Sequence, residues 1–164
     1  MSRSPCPRFY ATDLRSNTEY GEAMTDIVPS LKLTSEGAMK LLHAAMAKAS
    51  HMGVPQCISI VDAGGHLLAF VRMDGAFYQS IDTSLMKAKT AACYGKPTGD
   101  IAAGVDLKLA IATRGQRINL PGGLPIIVDG HVLGGIGVGS GTGEQDRQVA
   151  NAALAAIPGA RLFE

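Results

Sequence analysis

Charged side chains that could bind or protonate a small molecule lie close to the segment 60–76, which reads IVDAGGHLLAFVRMDGA. Asp62 stands before a Gly-Gly turn between two apolar strands, and Arg72 and Asp74 stand where the second strand ends. Lys87 follows on a predicted helix. If these groups surround one cleft, they could bind a small carboxylate or transfer a proton. They could equally form a structural ion pair and a turn-capping aspartate, so both interpretations stay open.

Backbone amides offer a second way to hold an anion. Gly122 and Gly123 precede an apolar strand, and the N–H groups of such a loop can face a ligand. If the two predicted hairpins pair side by side, these amides approach Arg72 and Lys87, and Thr90 shares the helix face of Lys87. The expected site is therefore a cleft for a small anionic molecule.

The remaining glycines argue against nucleotide binding. Glycines follow the last strand at alternate positions, but the G-x-G-x-x-G spacing is missing and the strand belongs to a hairpin. Gly134 and Gly135 lie inside that strand, which indicates close approach of a ligand or of another backbone, or a bulge that curves the sheet. We therefore expect no nucleotide cofactor.

The four histidines show no metal-binding spacing, since no H-x-x-x-H pair or cysteine partner occurs. We therefore expect no structural metal. His43 differs from the others because it flanks the core stripe of a predicted helix beside Met39 and Met46. A subunit interface could cover this strip. A flat apolar ligand such as haem could also cover it, and a neutral imidazole could ligate the haem iron.

Hydrophobic periodicity places these residues on a regular series of elements. A helix capped by Thr34 and ended by Gly53 precedes a hairpin of strands Cys57–Asp62 and His66–Met73, and a second helix covers Ser80–Tyr94. Thr98 is then expected to cap a shorter helix towards Thr113. A second hairpin turns at Asp129-Gly130, and a capping box at Thr142 opens a final helix through Ala156. Two hairpins without crossover helices predict an α+β fold with a central antiparallel sheet and helices packed on its faces.

Length, charge and cysteine content narrow the class of protein. The chain has 164 residues, a formal net charge of +1 and a pI near 7.8, so neither nucleic acid nor a membrane is an expected partner. The N-terminus has no secretory signal pattern. Residues 1–32 form a predicted polar arm, followed by one domain at 33–164. Three cysteines without a C-x-x-C pair predict reduced thiols and a cytoplasmic location.

Three segments together resemble a known family. SIVDAGGHLLAFVRMDGA, SIDTSLMKAKTAACYGKPT and GGLPIIVDGHVLGGIGVG, followed by GEQDRQVANAAL, are similar to the GlcG/HbpS-like family. This family is also called the haem-degrading domain and includes the C-terminal domain of PduO. The resemblance covers about Leu33 to Ile157. It implies helices around an antiparallel sheet, assembly into dimers or larger homo-oligomers and, for some members, haem or corrinoid-related ligands.

The family motifs are matched at the following positions: Asp62, Gly64, Gly65, Arg72, Asp74, Gly75, Lys87, Thr90, Pro97, Gly122, Gly123, Pro125, Asp129, Gly130 and Asp146. Asp146 falls in the first turn of the last helix, where a dipole or capping role explains it. The loop after the last strand departs from the family's Val-Ser-Gly, because it reads Val138-Gly139-Ser140-Gly141. An acidic iron-binding pair found in secreted relatives has no clear counterpart.

Two functions of different classes follow. The first is a cytoplasmic, oligomeric accessory protein that binds haem or another tetrapyrrole, with His43 as the axial ligand. The alternative is a cofactor-free catabolic enzyme, an isomerase, hydratase or lyase acting on a small enolisable acid. In that enzyme Lys87 or Asp74 would move the proton, and the Gly122 and Gly123 amides would stabilise the oxyanion.

Overall fold

The computed structural model describes residues 30–163 and confirms the predicted α+β class. Four helices and four strands follow the predicted order. They are α1 (Ser35–Met52), β1 (Cys57–Asp62), β2 (Leu67–Arg72), α2 (Gln79–Tyr94), α3 (Val105–Ala112), β3 (Gly123–Val128), β4 (His131–Gly139) and α4 (Gly143–Leu154). The predicted polar arm lies almost wholly outside the described residues. None of the described helices is long and apolar enough to cross a bilayer.

The two hairpins pair side by side in one antiparallel sheet of strand order β2-β1-β4-β3. The central contact joins β1 to β4, so β2 and β3 become the two edge strands. Cys57, at the start of β1, stands opposite both Arg72 and Gly139. The turn of the second hairpin uses Asp129 and Gly130, both with positive φ, as its Asp-Gly sequence predicts.

One face of the sheet carries the main core, beneath α1 and α4. Leu41 and Ala45 of α1 pack with Ile58 and Ile60 of β1, and Val149 of α4 joins the same fully buried cluster. Capping residues in the sequence determine where α1 begins and ends. The Thr34 hydroxyl accepts a hydrogen bond from the Gly37 amide, and Gly53 ends the helix in the left-handed conformation.

The other face of the sheet is covered by α2, which packs on β4, β1 and β3. Gly135 and Gly137 of β4 let the helix backbone come unusually close. A Cβ at Gly137 would overlap the Ser84 carbonyl oxygen, and one at Gly135 would overlap that of Ala88. The strand glycines therefore mark close approach of another backbone, which was one of the alternatives that the sequence left open.

The region between α2 and β3 departs from the prediction. Thr98 does not cap a helix, because α3 begins only after Gly104, and Gly99 and Gly104 both have positive φ. The Thr98 hydroxyl instead donates a hydrogen bond to the Leu120 carbonyl oxygen and accepts one from the Gly123 amide. The last helix is also slightly shorter than predicted, ending at Leu154 rather than Ala156.

Candidate functional site

The charged residues of the first hairpin do not converge. Arg72 pairs with Cys57 at the beginning of β1, whereas Asp62 is the last residue of that strand. Cys57 and Asp62 are five residue steps apart, so Arg72 and Asp62 are separated by about 17 Å along the strand. The expectation that Asp62, Arg72 and Asp74 share a cleft is therefore wrong, because the turn and the exit of a hairpin lie at opposite ends.

Asp62 organises the hairpin turn. Its carboxylate accepts the His66 backbone amide at 2.9 Å, and its Oδ1 lies 3.2 Å from His66 Nδ1. Partial burial alone would raise the pKa of this carboxyl, but hydrogen bonds from the backbone and side chain of His66 outweigh it and lower the pKa. These contacts make Asp62 the turn-capping aspartate that the sequence allowed.

Arg72 is also separated from the glycine amides. Gly123 lies on the edge strand β3 and Arg72 on the opposite edge strand β2, so three strand spacings, about 14 Å, stand between them. Gly123 donates its amide to Thr98 Oγ1 at 2.9 Å, and the residue is buried. The expected meeting of a guanidinium and bare amides in one cleft is therefore wrong within a single chain.

Lys87 does lie near Gly122, but in a buried ion pair. Its Nζ is 2.7 Å from Asp146 Oδ2 and donates to the Val138 carbonyl oxygen at the same distance. The side chains of Lys87 and Asp146 are only 6% and 3% exposed. Lys87 thus links α2, on one face of the sheet, to the first turn of α4, which packs on the other.

The environment of Asp146 balances two opposing effects. Burial raises the pKa of its carboxyl, and the charge and hydrogen bond of Lys87 offset part of that rise. The Gly141 amide also donates to Asp146 Oδ1 at 3.0 Å. Asp146 is the residue whose role the sequence missed, because local spacing gave only a helix-capping role and could not pair it with a lysine 59 positions away.

The remaining candidates for chemistry make structural bonds or stand apart from Lys87. Thr90 is buried, donates to the Met86 carbonyl and accepts the Ile118 amide. Asp74 is exposed in the turn that follows β2. Since the Lys87 ammonium is already paired and the Gly123 amide is already bonded, the geometry does not favour the enzyme alternative.

His43 lies on the outer side of α1 and is exposed to solvent. Met39, one turn earlier, is 42% exposed, and Met46 is half-buried against the core. Within residues 30–163, no three His, Cys, Asp or Glu side chains come together as a metal site. Haem brings four nitrogen ligands of its own, so a single exposed imidazole could still ligate its iron.

An apolar surface lies along β2 and the beginning of α2, and no local sequence pattern marks it. We call it the β2 face. It consists of Leu67, Leu68, Phe70, Phe77, Tyr78 and Ile81, whose exposed fractions range from 36% to 75%. Arg72 borders this face, and its guanidinium carbon lies 4.5 Å from the centre of the Tyr78 ring. Large apolar side chains grouped in this way indicate a binding surface.

The fold and these motifs define a member of a known family. A family model described as "Haem degrading protein HbpS-like" matches residues 33–155, so the chain belongs to this family, which confirms the resemblance noted above. A 15.0 kDa protein encoded between dhaT and dhaS in Citrobacter freundii is 43% identical over 127 residues, covering 74% of this chain and 89% of that protein.

Several solved structures share the fold. The Klebsiella pneumoniae protein ORFY superimposes with a TM-score of 0.77 at 34% identity, covering 82% of this chain and 97% of that one. A complex described as PduOC with haem superimposes with a TM-score of 0.74 at 29% identity, covering 82% of this chain and all of that chain. One structural relative is therefore a haem complex.

Proposed function

We propose that this protein binds haem or a related tetrapyrrole. The β2 face is the observation that carries the proposal, because a flat macrocycle needs exposed apolar contact and its propionates need a cation such as Arg72. The haem complex formed by PduOC supports the same conclusion. Haem would supply the iron chemistry, and this chain's part is to bind and orient it.

The titration of purified protein with hemin tests this function. We expect the Soret band to shift and to saturate at one haem per chain, since a specific site fills once. A linear change without saturation, equal to that of an unrelated protein of similar size, would contradict haem binding.

The iron ligand is a separate question. His43 is the ligand predicted from the sequence, and its exposed imidazole on α1 is compatible with that role. His51, exposed in the last turn of the same helix, provides a matched control. Loss of the ligated-iron spectrum in His43→Ala but not in His51→Ala would assign the iron to His43. An unchanged spectrum in both variants would exclude it.

Assembly and location complete the proposal. We propose a homo-oligomer in the cytoplasm. A second copy would bury the exposed apolar residues of α3, among them Leu107 and Ile111, which supports the oligomer. Cys57 and Cys93 are both free thiols, which is typical of cytoplasmic proteins. Light scattering coupled to gel filtration measures the assembly. A mass of one chain, 17.0 kDa, at micromolar concentration would contradict the oligomer.

A further inference from the structure

The packing of α2 explains why the β2 face is open. The helix lies over β4 through its row of small residues, and Leu85 on its flank packs against Val61 of β1. Ile81, one turn earlier on the same flank, is 37% exposed. A helix is too narrow to cover all four strands of the sheet, so the outer side of the edge strand β2 is left uncovered.

The register of β2 places its apolar side chains on that uncovered side. Phe70 stands opposite Ser59, whose hydroxyl bonds Ser84 of α2, so both residues face the helix side of the sheet. A bulge at Leu68 brings Leu67 opposite Val61, which packs with Ala88 of α2. Leu67 and Phe70 therefore share one side of the sheet.

Arg72 supplies the charge at one end of this surface. It stands opposite Cys57, which puts it on the same side as Phe70. No carboxylate within residues 30–163 forms a salt bridge with Arg72, and its guanidinium lies over the face of the Tyr78 ring. An unpaired guanidinium beside an apolar surface suits a ligand that joins a flat apolar body to a carboxylate.

We propose that the β2 face is the tetrapyrrole site, with Leu67 and Phe70 contacting the macrocycle and Arg72 binding a propionate. This proposal rests on the function proposed above and names the site. Leu67 pairs with Val61 and Arg72 with Cys57, so the surface runs about 14 Å along the strand, enough for a macrocycle with its propionates at one end. Hydrophobic contact and one charge pair hold the ligand, so iron is not required for binding.

The β2 face and His43 are alternative sites within one chain. Ala69 and Val71 of β2 belong to the core beneath α1 and α4, while Phe70 and Arg72 point to the opposite side. The helix α1, which carries His43, therefore packs on the side of the sheet opposite the β2 face. The site proposed here does not use His43.

Iron-free protoporphyrin IX is the appropriate probe, since it removes iron ligation from the measurement. We expect its fluorescence titration to saturate, and Arg72→Gln to weaken binding about tenfold, as the loss of a charge-assisted hydrogen bond implies. Arg114→Gln, at another exposed arginine, is the control and should stay within about twofold of the wild type.

A second pair of variants tests the apolar contact. Leu67 and Leu162 are both exposed leucines, 52% and 56%, so either can become serine without emptying the core. We expect Leu67→Ser to weaken porphyrin binding severalfold, and Leu162→Ser and His43→Ala to bind as the wild type does. Circular dichroism of each variant verifies that the fold is kept.

Three results would overturn the proposal, and they are distinguishable. If the wild type binds porphyrin and both Arg72→Gln and Leu67→Ser bind equally well, the site lies elsewhere while tetrapyrrole binding stands. If these two variants instead dissociate the protein into smaller species with unchanged porphyrin affinity, the β2 face is an interface between copies. If the wild type binds neither porphyrin nor hemin, the proposed function fails as well.

Discussion

The ion pair of Lys87 and Asp146 makes a strong prediction about stability. In Lys87→Met the Asp146 carboxylate stays buried but loses the ammonium 2.7 Å away, and the Val138 carbonyl loses its donor. Breaking a buried pair from one side costs about 3–5 kcal/mol, because one charge remains uncompensated. Domains of this size are stable by about 5–15 kcal/mol, so the variant should fold but unfold easily.

Urea denaturation of four proteins measures this effect. The wild type, Lys87→Met, Asp146→Asn and the double variant form a double-mutant cycle, and we expect the double variant to be more stable than the sum of the single losses predicts, by about 2 kcal/mol. Lys89→Met is the matched control on the same helix. Its Nζ donates to Gln116 Oε1 at 3.0 Å on the exposed surface, so Lys89→Met should cost less than about 1 kcal/mol.

The loss of unfolding free energy in Lys87→Met should depend on pH. Burial raises the pKa of Asp146, and removing Lys87 takes away the charge that opposes the rise. The penalty in Lys87→Met is therefore present above the folded pKa and disappears as the carboxyl is protonated. The gap between variant and wild type should narrow as the pH falls from neutral. A Lys87→Met loss below about 1 kcal/mol at neutral pH would refute the reasoning.

Three further predictions concern other parts of the fold. Gly137→Ala should destabilise the protein by about 2 kcal/mol or more in urea, because the new Cβ meets the Ser84 carbonyl; a loss under about 0.5 kcal/mol would contradict the close packing. In a Cys6→Ser background, Ellman's reagent should modify the exposed Cys93 before unfolding but Cys57 only afterwards, since burial raises the pKa of Cys57 and shields it. Asp62→Asn should lose stability at neutral pH, because the lowered pKa of Asp62 means that its carboxylate stabilises the fold, and this loss should shrink as the pH falls through that pKa; a loss that does not change with pH would contradict this.

The sequence could predict elements and hairpins because their signals are local. Thr34 and Gly53 cap the two ends of α1. Asp129 and Gly130 form the turn of the second hairpin, as expected of an Asp-Gly pair. Thr98 gave a misleading signal, because a threonine that caps a helix and one that binds a distant strand look identical in sequence. Only the contact with Gly123 separates the two.

The site could not be predicted because it depends on strand order and strand side. Joining the hairpins through β1 and β4 sends Arg72 and Gly123 to opposite edges, and no local pattern specifies that choice. The bulge at Leu68 adds a second difficulty, since it changes the side to which Leu67 points. The β2 face exists because α2 packs on β4, β1 and β3 and leaves β2 uncovered, and no local pattern indicates that packing.

The position of a bound porphyrin on the labelled protein tests the central claim most directly. Amide chemical shifts, recorded with and without iron-free protoporphyrin IX, report which residues change their surroundings. We predict the largest changes at Leu67, Phe70 and Ile81, with smaller ones along α1. Changes concentrated around His43, with the amides of the β2 face unmoved, would contradict the account.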